Sequence, residues 1–172
     1  VFSIHEDDWR GIEFIASEFS DEARAGLKQI ERIHRECKVK DSGWKEIYVR
    51  KELASPLSGR RIRLSMLEAA FKSPIQHFDG LTYHGVAGIV ENSFAFKDSQ
   101  SLVVYGTLAE EDATAICLDP FQVKSMEDAD ADRLVEFLKT NNLAFIHWNW
   151  LELITDKAGL MRYFNRRAEK QN

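Results

Sequence analysis

Three short stretches gather the residue types that acid–base or metal chemistry would need. His5-Glu6-Asp7-Asp8-Trp9 sets an imidazole beside three carboxylates. His5, Asp7 and Asp8 could bind a divalent cation through oxygen ligands, or supply a general acid and base. The competing reading is a solvated turn between two strands, its aspartates hydrogen-bonded to their own backbone. Neighbouring side chains of an extended segment also point to opposite faces, which works against convergence on one ion.

His77-Phe78-Asp79-Gly80 and the nearby His84 form the second stretch. His77 and Asp79 could make an imidazole–carboxylate pair that orients a base, with His84 joining if the chain turns back. Asp79-Gly80 is equally good turn chemistry, and that reading is preferred. The third stretch is His147-Trp148-Asn149-Trp150. On a strand, Trp148 and Trp150 would share one face and His147 and Asn149 the other. Trp9, His147, Trp148 and Trp150 are thus the candidates for contact with a ligand or partner. Burial of the tryptophans under a C-terminal helix is the favoured alternative.

Two weaker signals complete the set. Arg60, Arg61 and Arg63 beside Gly59 could grip a phosphate or carboxylate, but they also suit a solvated strand edge. His34 and Cys37, one helical turn apart, are half of a zinc site with no second pair, so no metal site is expected. No phosphate-binding glycine loop, nucleophile elbow, zinc helix, dinucleotide fingerprint or paired C-x-x-C occurs. No cofactor is expected, and the balance leans away from an enzyme.

Bulk properties narrow the partners. The chain has 172 residues, 44% of them hydrophobic and 30% charged, with a formal net charge of −5. That size and composition fit one domain over residues 1–172 with a core of its own. The acidic balance argues against a nucleic-acid backbone and suits a basic protein surface. No apolar run approaches the roughly 18 residues of a membrane span. Cys37 and Cys117 lie among apolar positions, as buried thiols do, and a disulfide is not expected. A cytoplasmic setting follows.

These residues need elements to hold them. Residues 1–4 and 11–16 read as strands. Ser20 would cap a helix to residue 37, with Leu27, Ile30, Ile33 and Cys37 on its buried face. Residues 44–51 and 62–64 read as strands, and Ser65 to Glu68 as a capping box. Residues 81–90, 94–97, 102–108 and 113–119 are joined by short polar connections, the pattern of an antiparallel meander. Ser125 and Asp128 open a helix ending at Asn141-Asn142. Residues 143–154 read as an interior strand, and Thr155 caps a last helix. The sum is an α+β fold: a mainly antiparallel sheet with a central meander, packed by an N-terminal helix and two C-terminal helices.

The expectation for function is a non-enzymatic protein-interaction module, an inhibitor or immunity-type binder of a partner with a basic surface. The alternatives are a small or metal-assisted hydrolase using one histidine–aspartate set, and a small-ligand binder with a tryptophan-lined cleft.

Overall fold

The computed structural model describes residues 1–39, 43–46, 49–50, 52–120, 122–123 and 125–169. Seven of its strands form one sheet. Its centre is β2 (Ile12–Ala16), β8 (Val103–Ala109), β9 (Asp112–Asp119) and β10 (Leu143–His147); β7 (Ser93–Lys97) lies outside β8. β5 (Gln76–Phe78) and β11 (Glu152–Ile154) are the edges, giving the order β11-β10-β2-β9-β8-β7-β5. Every pairing in it is antiparallel. The expected meander is present as β7-β8-β9. Its first expected strand is much shorter: β6 (Leu81–Tyr83) leaves the large sheet and pairs in parallel with β1 (Phe2–Ile4). Residues 84–92 then run back as a loop held by the Thr82 hydroxyl, which donates to the Gly88 carbonyl at 2.7 Å.

The remaining strands are the two-residue pair β3 (Lys38–Val39) and β4 (Gly43–Trp44). The strand expected over residues 44–51 thus begins as foreseen, but Lys45 and Glu46 already bend. Ile47, Tyr48 and Lys51 lie outside the described residues.

Alternation along β2 and β10 divides the core into two sides. Phe14 and Phe145 face α2 (Leu64–Ala69), α3 (Asp128–Thr140) and α4 (Lys157–Glu169), meeting Leu134, Leu138, Leu160 and Phe164. Ile15, Ala144 and Ile146 face α1 (Ser20–Glu36) through Ala23 and Leu27. On that second side the β1–β6 pair covers the neighbouring strands, Ile4 and Leu81 packing on Ala95, Tyr105 and Cys117. One row of cross-strand partners therefore runs Phe78, Ala95, Tyr105, Cys117, Glu13, Ile146, Leu153. Glu13 is the one charged member, and it sits where one cover ends and the other begins.

The helix starts differ from the capping residues read in the sequence. α1 follows a 3-10 turn over Ser17–Phe19, so Ser20 is already helical and Phe19 holds the cap position without a side-chain bond. α2 begins one residue before Ser65, and α3 begins at Asp128, so neither box closes. At α4 the cap is Asp156 rather than Thr155, its carboxylate accepting the Gly159 N–H at 2.7 Å. Residues 143–154 form a hairpin, β10 turning at 148–151 into β11, rather than one strand. The interior character of their first half holds: all of β10 is buried between β2 and β11.

Candidate functional site

Parallel pairing of β1 with β6, in the register Ile4 to Tyr83, brings the residues that follow each strand side by side. The His84 N–H donates to the Ile4 carbonyl at 2.8 Å, and the His5 and His84 rings meet edge to face at 6.3 Å. Antiparallel pairing of β2 with β9 and β10 puts the start of β2 beside the ends of the other two, Ile12 opposite His147 and Glu13 opposite Cys117. Five strand ends thus meet on one edge of the molecule. They enclose a cleft of about 230 Å³, lined among others by His5, Asp8, His84, Tyr105, Asp119 and His147.

The segment between β1 and β2 forms the mouth. Glu6–Asp8 is a single 3-10 turn, fixed by the Asp8 N–H on the His5 carbonyl at 3.0 Å and the Trp9 N–H on the Glu6 carbonyl at 3.1 Å. The His5 Nδ1 accepts the Asp7 N–H at 3.2 Å, closing its amino end. The Asp8 carbonyl accepts both the Gly11 N–H, at 3.0 Å, and the Tyr105 hydroxyl, at 3.2 Å. Arg10 takes a left-handed φ of 56° to pass from this turn into β2. Its side chain then leaves the cleft for the α1 side of the sheet.

There Arg10, Glu13, Arg50 and Trp148 make a buried polar cluster. Glu13 accepts from Arg10 Nε at 2.6 Å, from Arg50 Nη1 at 3.0 Å and from the Trp148 indole at 3.0 Å. Arg10 Nη1 also donates to the Leu53 carbonyl at 2.9 Å, and the Arg50 guanidinium stacks over Trp148 at 4.4 Å. Arg10 Nη2 is buried with no hydrogen-bond partner among the described residues. The cluster ties Arg50 and Leu53 to the sheet and fills the seam beside Glu13. Desolvation there holds the Cys117 thiol far above its usual range, with Glu13 adding to it, and burial does the same to the Tyr105 phenol. Both stay protonated, which removes Cys117 as a nucleophile. Cys37 is raised as well, by burial and then by the Glu46 carboxylate.

Neither histidine–aspartate set comes together as a unit. His5 and Asp8 line the cleft, while Asp7 points to solvent, its carboxylate 3.4 Å from His5 Nδ1 on the open side of the turn. His84 reaches the cleft, whereas His77 lies exposed on edge strand β5, 3.7 Å from Glu68. Asp79 is exposed in the turn before β6, where Gly80 supplies a φ of 127° and a Cβ would strike Ile89 and Ser93. The cleft instead mixes members of both sets with His147. No group of three His, Cys, Asp or Glu side chains among the described residues is placed to hold a metal ion.

The aromatic candidates also divide. Trp148 leaves the strand end for the buried cluster, and Trp150 stacks on His147 with ring centroids 5.1 Å apart. These tryptophans lie in a turn, so the shared strand face expected for them does not form. His147 is fixed from below by the Tyr163 hydroxyl, 2.9 Å from Nδ1. Trp9 rests half-buried near Tyr105, centroids 6.1 Å apart. Arg60 spans from the Asn141 carbonyl at 2.7 Å to Glu18 at 2.7 Å, and Arg61 pairs with Asp112 at 2.9 Å. Arg63 stands at the start of α2.

Asn149, Tyr105 and Asp119 in the cleft, and Arg10, Glu13 and Arg50 of the cluster that Trp148 joins, were not among the sequence candidates. Only Glu13 carries a signal in the sequence, as a lone carboxylate between Ile12 and Phe14 of a central strand, where a charge requires a partner. Comparison with protein-family models, curated proteins and solved structures finds no match to this chain. None of its described helices is long and apolar enough to cross a membrane.

Proposed function

We propose that the protein is a non-enzymatic interaction module, an inhibitor or immunity-type binder that engages a basic partner protein with the face around the cleft. The observation that carries this reading is the hydrogen-bonded, solvent-exposed turn Glu6-Asp7-Asp8 at the cleft mouth. Among the described residues, no cation forms an ion pair with Glu6 or Asp8. Many other surface carboxylates are already paired within the chain: Glu18 with Arg60, Asp112 with Arg61, Glu127 with Lys72 and Asp128 with Lys157. Apolar contact area is available close by, since Val86 and Ile89 are more than half exposed on the loop after His84. Acidic groups on a fixed backbone beside exposed aliphatic side chains suit electrostatic steering followed by local desolvation. The separation of Asp7, His77 and Asp79 from the cleft supports a binder over a hydrolase.

The test is affinity capture with the tagged wild-type chain and a Glu6→Lys, Asp7→Lys, Asp8→Lys variant whose circular dichroism matches it. The expected outcome is a stoichiometric basic protein retained by the wild type and reduced at least tenfold on the variant. Equal retention by both, or none by the wild type, overturns the proposal.

A further inference from the structure

Resting on that reading, we propose that the cleft is a seat for one arginine side chain of the basic partner. Its volume of about 230 Å³ is below the roughly 300–1,000 Å³ of pockets that enclose a drug-sized molecule, and matches a single side chain better. The lining has the chemistry that a guanidinium uses. Asp8 offers a carboxylate, and Ser3 and Asn149 offer oxygen acceptors. His5 and His84 offer ring faces and edges against which a planar cation can stack. No lysine or arginine is among the described residues of the lining.

Position and stiffness favour the same occupant. The acidic turn stands at the mouth, so the field that draws a basic surface leads into the cleft. The walls are the ends of paired strands and a turn closed by hydrogen bonds, the Asp8 carbonyl accepting the Gly11 N–H and the Tyr105 hydroxyl. Such a site is formed before its guest arrives, which lowers the ordering cost of binding. Arginine suits it better than lysine, since a flat guanidinium can stack and donate in its own plane at once, and arginine is prominent among the residues that dominate interface energies.

The proposal is tested with the full chain, labelled with nitrogen-15, titrated with N-acetyl-arginine N-methylamide. The neutral citrulline analogue, nearly the same shape, serves as control. Expected are amide shifts confined to residues around Asp8, Gly11, Tyr105 and Leu118, saturating in the millimolar range usual for one side chain, with about fivefold weaker binding for Asp8→Asn. Shifts scattered over the surface, equal shifts with citrulline, or an unchanged Asp8→Asn titration overturn it. The two proposals fail separately. A captured partner that is lost on reversal of the acidic turn, with no response of the cleft to arginine, removes the seat and leaves the binder. An arginine response in the cleft with no captured protein removes the binder and leaves a cation seat.

Discussion

Glu13 lies fully buried in β2 with two guanidiniums and an indole directed at its carboxylate. Removing one member of such a cluster leaves the others charged, desolvated and unmatched, which costs more than the intact set contributes. Glu13→Ala is therefore expected to lower stability by about 3–5 kcal/mol in urea denaturation. Exchanging the ions together for apolar residues of similar size, as in Arg10→Met, Glu13→Leu, Arg50→Met, should recover most of that loss. A triple variant as unstable as Glu13→Ala would show that Glu13 acts by shape rather than by charge. Asp98 presents the opposite case. It is buried, and desolvation lifts its carboxyl above the ordinary aspartate range even though Oδ1 accepts the Gln100 and Leu102 N–H groups, each at 2.9 Å. Its folded value exceeds its unfolded one, so between the two the native state holds more protons and this residue's contribution falls as pH rises. Asp98→Asn keeps an acceptor for both N–H groups and loses the buried charge. Its stability relative to wild type should climb as pH rises from about 3 to 7, and a flat difference between the two would refute the assignment. At this scale the polar clusters could be read from residue type, and so could the odd carboxylate in β2. Which clusters meet could not, because His5, His84 and His147 become neighbours only through the pairing of β1 with β6 and of β2 with β10.

Elements with local causes were the ones legible in the chain. The meander declares itself because β7, β8 and β9 alternate and their connections are too short for anything but hairpins. Helices α1, α3 and α4 declare themselves by apolar spacing. Their first residues do not, since a preceding 3-10 turn or an aspartate one position further on can replace the expected cap. Residues 84–92 misled because Val86, Ile89 and Val90 have the composition of a strand. Gly85 and Gly88, at φ of 75° and 107°, turn the chain back instead. Within the meander the tightest point is Gly106, opposite Ile116, where a Cβ would overlap the backbone carbonyl of Ala115 and crowd Phe94. Neither a hydrogen-bonded strand nor a core ring can yield cheaply, so Gly106→Ala should cost about 3 kcal/mol or more and lower the melting temperature accordingly. A melting temperature within a degree of wild type would show that β8 and β9 are looser than this packing implies.

The molecule as a whole is organised by pairings that no local signal announces. Composition and pattern supported an α+β class, and the sheet with its four helices has that class. The order of its strands was illegible because antiparallel neighbours distant in sequence leave no spacing to read, and the cleft exists only as a product of that order. Both edges of the sheet are three-residue strands, too short to offer much template for unwanted pairing. The centre is the more unusual part. β2 begins at Ile12, yet the strands on either side of it are β9 and β10, which begin about 100 and 130 residues later. During synthesis, at roughly 5–20 residues per second, this apolar strand emerges several seconds to tens of seconds before either neighbour exists. The nascent chain must keep Ile12, Phe14 and Ile15 occupied or shielded for that interval, and the acidic turn just ahead of them supplies charge that discourages premature self-association. The same three carboxylates proposed to meet a partner in the finished protein would then guard its central strand while the chain is still being made.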